Sequence, residues 1–141
     1  MSAIWKRPVR IGEGLPIPPQ TMGSLIGLQV IEVGEDFVRG SLEVDHRTVQ
    51  HVGMLHGGAS CAMAEELGSI AANLCLDPEW VGVGVEINAS HLRSATTGRI
   101  IGTARPLRVG RKMQTWEIHI VNEENQLLCV SRLTVSVVPR P

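Results

Sequence analysis

The chain has 141 residues, 43% of them hydrophobic, which is enough to bury a single core and argues against two independent ones. Thirteen Lys and Arg residues against fourteen Asp and Glu leave a formal charge of -1, which indicates no attraction to nucleic acid or to an anionic membrane. Three cysteines without a CxxC pair disfavour a disulfide framework or a structural zinc site. Because no apolar run reaches the ~18 residues of a membrane span, and no secretory signal is apparent, we expect a cytoplasmic protein.

Residues 1–26 are predicted to form an N-terminal lead-in. Four of the eight prolines lie between residues 8 and 23, and this density resists regular helix or strand pairing except in short pieces. Residues 27–141 are predicted to be a single domain. It opens with two strands, 28–33 and 37–44, separated by a turn near Gly34 and expected to pair antiparallel.

Residues 58–76 carry apolar side chains at helical spacing and predict the one long helix, which Asp77-Pro78 should stop. Four further strands follow, at residues 81–94, 99–107, 113–121 and 127–138. The order ββαββββ predicts an α+β fold in which one helix covers one face of a curved antiparallel sheet.

The predicted helix has two contrasting faces. Met63, Leu67, Ile70 and Leu74 form a bulky stripe that should fill the concave face of the sheet. The opposite stripe consists of small residues and one carboxylate, at Gly58, Cys61, Ala62, Glu65, Ser69 and Ala72. Such a stripe permits close approach of another backbone, so we expect the chain to form a dimer through this face.

A motif spans the start of the helix. It reads Gln50-x5-His56-Gly57-Gly58-x6-Glu65-x3-Ser69 and places a carboxylate nine residues after a histidine at a strand-to-helix junction. With the order of elements, it resembles the hotdog-fold acyl-CoA thioesterases of the 4-hydroxybenzoyl-CoA thioesterase branch. The likeness is closer to the menaquinone-pathway 1,4-dihydroxy-2-naphthoyl-CoA thioesterase and the enterobactin proofreading thioesterase. Supporting stretches are Ile4-Trp5-Lys6-Arg7, Val44-Asp45-His46-Arg47-Thr48, Glu86-Ile87-Asn88-Ala89-Ser90-His91 and Ser131-Arg132-Leu133-Thr134.

The resemblance implies a thioesterase that hydrolyses an acyl- or aryl-CoA thioester. Glu65 would act as general base or nucleophile, and partial desolvation on an apolar helix should raise its basicity. The Gly57 N–H at the positive end of the helix would hold the thioester oxygen. Gln50, a neutral donor and acceptor, would position the attacking water, while His56 and Ser69 would orient groups around the reacting centre.

The same resemblance implies a binding surface for coenzyme A, whose phosphates suit Arg. The residues carried over for the substrate are Gly58, Val52, His91, Arg93, Ser94, Gly110 and Arg111. We expect acyl-CoA as the ligand, no cofactor or metal, no nucleic-acid or membrane partner, and a homodimer or a tetramer built from two dimers.

Two alternatives remain open. His51 lies fourteen residues before Glu65, a spacing similar to that of the histidine and glutamate in hotdog-fold hydroxyacyl-thioester dehydratases. A non-catalytic acyl-CoA-binding module would keep the pocket and lose the chemistry. The relatives usually have Pro-Phe where this chain has His51-Val52, so the acyl group is less well indicated than the activity. The five-residue spacing of His46, His51 and His56 fits neither a strand face nor a helix face, which disfavours a metal site.

Overall fold

The computed structural model describes residues 2–141; Met1, at the start of the predicted lead-in, lies outside the described residues. The order ββαββββ is confirmed, with one short additional helix inside the lead-in. The elements are α1 (Met22–Leu25), β1 (Gln29–Val33), β2 (Val38–Glu43), α2 (Gly57–Leu74), β3 (Trp80–His91), β4 (Arg99–Val109), β5 (Met113–Val121) and β6 (Leu127–Pro139).

The strands form one antiparallel sheet in the order β1-β2-β4-β5-β6-β3, so β1 and β3 are its edges. Strand β3 is twelve residues long and pairs with β6 from Trp80 to His91. Its register shifts between Gly84 and Glu86, which makes Val85 a β-bulge. A long edge strand with a bulge in its middle therefore follows directly after α2.

Helix α2 covers one face of the sheet. Met63 and Leu67 are fully buried, and Leu67 fits against two glycines of neighbouring strands. A Cβ on Gly40 would lie 2.6 Å from Leu67 Cδ2, and one on Gly102 would lie 3.0 Å from Leu67 Cδ1. The helix can approach the sheet this closely because β2 and β4 have no side chains at these positions.

The outward stripe of α2 agrees with the prediction at most positions. Gly58 and Glu65 are exposed, and Ala62 and Ser69 are half-buried. Ala72 is the exception, because it is fully buried and its carbonyl accepts a hydrogen bond from the Gln114 side chain. The stripe is therefore shorter at its C-terminal end than the spacing predicts.

Two predicted elements extended two or more residues beyond their observed C-terminal ends. The helix ends at Leu74 rather than 76, since the N–H groups of Cys75 and Leu76 bond back to Ala72 and Asn73. Strand β3 ends at His91 rather than 94, since the next two N–H groups both turn to the carbonyl of Leu128.

Residues Trp5 to Arg7 of the N-terminal segment contact both the end of α2 and the sheet. The indole of Trp5 stacks on buried Trp116, with ring centroids 6.3 Å apart, and donates to the Gly34 carbonyl. The N–H groups of Lys6 and Arg7 bond to the Leu74 carbonyl, which the end of the helix leaves without an intrahelical partner. These contacts fix where α2 ends and β3 begins.

Candidate active site

The loop before α2 is held by the side chain of Gln50. Its Oε1 atom accepts hydrogen bonds from the N–H groups of Val52, at 2.8 Å, and Met54, at 3.2 Å. Gly53, with φ of +86°, makes the tight turn between them. Because both hydrogen bonds occupy the oxygen, Gln50 offers a ligand the N–H groups of Nε2 in this structure, and its role toward the attacking water stays a prediction.

His56 caps the N-terminus of α2. Its Nδ1 accepts the Gly58 N–H at 2.8 Å, and its carbonyl accepts the N–H of Ala59. The N–H of Gly58, a residue predicted to bind substrate, is thus already hydrogen-bonded within the chain. Gly57 differs: within residues 2–141 its N–H has no hydrogen-bond acceptor. It is a free donor at the positive end of an 18-residue helix.

A cleft of about 350 Å³ opens beside this free donor. We call it the Gln50 cleft; its lining includes five of the predicted site residues, Gln50, Gly57, His91, Arg93 and Ser94. The His91 ring lies over Gly57, with Nε2 3.0 Å from where a Cβ on Gly57 would stand. The fold therefore brings together groups from the loop, the helix start and the end of β3.

Five other residues of the lining are Met54, Leu55, Ser60, Leu92 and Leu128. None of these five residues belongs to the motif that located the site. Ser60 is 2% exposed and lies one turn into α2, so it gave no signal beyond being a small helix residue. Leu92 follows the end of β3 and is well exposed. Its place in the cleft depends on β3 ending at His91, and the predicted strand ran past that residue.

Glu65 and Ser69 lie outside this cleft. Glu65 is exposed on the outward stripe, so the single chain does not itself supply the desolvation expected of its carboxylate. Its Oε2 is 2.6 Å from the position of a Cβ on Gly84, while Oε1 of the neighbouring Glu66 lies against Gly23 of α1. Eight residues of helix separate Gly57 from Glu65, which corresponds to about 12 Å along the axis.

The remaining predicted ligands are also apart from the cleft. Gly110 and Arg111 form the turn between β4 and β5 and line a different cavity, of about 950 Å³, together with Lys6 and Trp80. Val52 is 61% exposed and is not in the lining of the Gln50 cleft. His51, which the dehydratase alternative requires, is likewise exposed and absent from that lining.

Comparison with known proteins identifies the family. The thioesterase superfamily model matches residues 52–129. The chain belongs to the thioesterase superfamily. It is 40% identical over 134 residues to the 1,4-dihydroxy-2-naphthoyl-CoA hydrolase of Escherichia coli, covering 95% of this chain and 98% of that protein. The same values hold for the proofreading thioesterase EntH of Cronobacter turicensis.

A solved structure gives the same result. A thioesterase from Haemophilus influenzae superposes with a TM-score of 0.89 at 40% identity, covering 96% of this chain and 95% of that one. The predicted hotdog fold and the resemblance on which it rested are confirmed. By class the chain is a thioester hydrolase, and these hydrolase relatives do not favour the dehydratase alternative.

Among residues 2–141, no three His, Cys, Asp or Glu side chains come together as a metal site would require. No helix in that range is long and apolar enough to cross a membrane.

Proposed function

We propose that the protein hydrolyses an acyl- or aryl-CoA thioester to the free acid and coenzyme A. The observation that carries this is that Gly57, whose N–H has no acceptor among the described residues, and Gln50, whose Nε2 has none there, line the same cleft. Two such donors, one of them at a helix N-terminus, suit the oxyanion that forms when a thioester carbonyl is attacked. Arg93 at the cleft supplies a cation suited to a phosphate of coenzyme A.

Glu65 is the proposed base or nucleophile. As base, its carboxylate takes a proton from water, the oxygen of that water attacks the carbonyl carbon, and the tetrahedral intermediate expels the coenzyme A thiolate, which receives the proton. As nucleophile, the carboxylate attacks the carbon, displaces the thiolate and forms a mixed anhydride that water then hydrolyses. Single turnover in ¹⁸O-water distinguishes these routes, because only the anhydride route can leave ¹⁸O in Glu65.

The proposed site is shared between two chains. Reacting atoms must come within about 3–3.5 Å of each other, and the ~12 Å between Gly57 and Glu65 of one helix is too long. The free edge of β3 offers a way to close this gap. In an antiparallel pairing of two β3 strands that sets Gly84 opposite the partner's His91, Glu65 reaches the Gln50 cleft of the other chain. This proposed homodimer also covers the outward stripe of α2 and desolvates Glu65 there.

The acyl group is proposed from the walls of the cleft and from the relatives. Met54, Leu55 and Leu92 offer aliphatic surface that accepts a flat ring or an acyl chain. The Escherichia coli relative carries the name of an aryl-CoA hydrolase, so aromatic acyl-CoA esters are the first class to assay.

The experiment is a thiol-release screen over aryl, short-chain and long-chain acyl-CoA substrates with wild type, Glu65→Ala and the matched control Glu66→Gln. We expect Glu65→Ala to lower kcat by at least ~100-fold while binding survives, because a central acid-base group contributes about that much. Glu66→Gln should keep near-wild-type turnover. Unchanged turnover of Glu65→Ala at saturating substrate would overturn the proposed role of Glu65.

A further inference from the structure

We infer that Asn73 is a positioning residue for Glu65, acting through the start of β3; the inference rests on the proposed function. Asn73 lies in the last turns of α2, and its side-chain amide binds the backbone of Gly82. Its Oδ1 accepts the Gly82 N–H at 2.9 Å, and its Nδ2 donates to the Gly82 carbonyl at 3.3 Å. A further bond from Nδ2 to the Ser69 carbonyl, at 2.8 Å, fixes the amide on the helix.

These bonds lie on the free edge of β3. Gly82 is opposite Val137 of β6, but the Val137 N–H bonds to Lys112 on the β5 side. This pair is therefore not a hydrogen-bonded one, and the polar groups of Gly82 point away from β6. The Asn73 amide supplies there the donor and acceptor that a neighbouring strand would otherwise provide.

The contact lies in a segment that a β-bulge separates from the rest of β3. The bulge at Val85 interrupts the ladder between β3 and β6, so residues 80–84 are joined to the rest of β3 across an irregular step. Gly84 lies two residues after Gly82 and touches the Glu65 carboxylate. Asn73 therefore sets the distance between Gly84 and the helix that carries Glu65.

The same contact limits where a second strand can pair. The Asn73 amide occupies the N–H and the carbonyl of Gly82. The edge of β3 that is open to another strand therefore runs from Gly84 to His91. This is the stretch that the proposed dimer uses. Loss of the amide would extend the open edge and let the two β3 strands slip in register.

The test compares Asn73→Ala and Asn73→Asp with Gln29→Ala, an exposed amide on the opposite edge strand β1. We expect Asn73→Ala to lower kcat by roughly 10- to 100-fold with KM within about threefold, as for a misplaced catalytic group. Asn73→Asp keeps the acceptor for the Gly82 N–H but sets an oxygen against the Ser69 and Gly82 carbonyls, so it should also lower kcat. Gln29→Ala should match wild type. If Asn73→Ala does not fold, the kcat of Asn73→Asp relative to that of Gln29→Ala tests the positioning role instead.

Amide hydrogen exchange separates this inference from the proposed function. Exchange at Gly82 and Gly84 should accelerate in Asn73→Ala and stay unchanged in Gln29→Ala, whatever the substrate. If wild type releases thiol and the kcat of the Asn73 variants is unchanged, the positioning role is overturned and the thioesterase proposal stands. If wild type is inactive on every thioester, the thioesterase proposal fails, and the positioning role of Asn73 fails with it. Accelerated exchange at Gly82 in Asn73→Ala would then show only that the Asn73 contact stabilises the structure.

Discussion

The carboxylate of Glu65 lies directly against the backbone of Gly84, with Oε2 2.6 Å from the place a Cβ would occupy. The atom that would have to move is the far end of a flexible side chain, so Gly84→Ala should displace the carboxylate without disrupting the fold. We expect kcat to fall about 10- to 100-fold and the free energy of unfolding to change by less than ~1 kcal/mol. Steady-state kinetics and urea unfolding measure the two effects.

The control for this prediction is Val83→Ala. Val83 is the neighbouring residue of β3, is half exposed and has its side chain on the other face of the sheet. It should leave kcat unchanged. An unaltered kcat in Gly84→Ala would mean that the contact between Glu65 and Gly84 does not matter for catalysis.

Trp5 should contribute strongly to stability although it lies in the lead-in. Its ring stacks on fully buried Trp116 and its Nε1 donates to the Gly34 carbonyl at 2.7 Å. Removing a partly buried indole and its hydrogen bond should lower the free energy of unfolding by about 2–4 kcal/mol. Trp80→Ala is the matched control, because Trp80 is 40% exposed and should cost about 1 kcal/mol or less. Equal losses in urea unfolding would contradict the prediction.

Acid should weaken the turn that leads into the Gln50 loop. The Arg47 guanidinium hydrogen-bonds the Asp45 carboxylate and lowers its pKa from 3.8 to about 2. A pKa that is lower in the folded state gives stability that is present above pH 4 and lost as the pH falls towards 2. Wild type should therefore lose more stability over this interval than Asp45→Asn. Urea midpoints at pH 2, 3, 4 and 5 test this, and parallel curves for the two proteins would count against it. Because the Arg47 and Asp45 side chains are 36% and 32% exposed, solvent screens the pair and the difference should be small.

How far the sequence could predict this molecule depends on which interactions are local. Apolar spacing located α2 and six strands to within a few residues, because burial of one face imposes that period directly. The free donor of Gly57 was also predictable, since a helix must begin with unpaired N–H groups. The occupied oxygen of Gln50 was not, because it depends on how one five-residue loop folds back on itself.

Long-range contacts were the other limit. Asn73 resembles any polar residue near the end of a helix, and its bonds to Gly82 arise only when β3 turns back along α2. Exposure of Glu65 was missed for a related reason. Helical spacing put it on the small-residue stripe correctly, but an apolar sequence context does not bury a residue that faces away from the sheet.

Subunit complementation should test whether the site is shared between chains. Gln50→Ala and Glu65→Ala each remove one half of the proposed site and should each be nearly inactive as homodimers. In a mixed dimer, one site contains Gln50 from one chain and Glu65 from the other and is intact, while the second site lacks both. Random reassociation of equal amounts makes half the dimers mixed, so activity should recover to roughly a quarter of wild type.

The measurement is thiol release after the two variants are unfolded together in urea and refolded. Wild type carried through the same procedure corrects for losses in refolding, and the two variants refolded separately and then combined give the background. If both catalytic groups acted within a single chain, every site would lack one of them and the mixture would stay at that background. Recovery would show that Glu65 acts on a thioester held in the Gln50 cleft of another chain, as we propose from the ~12 Å along the helix between Gly57 and Glu65.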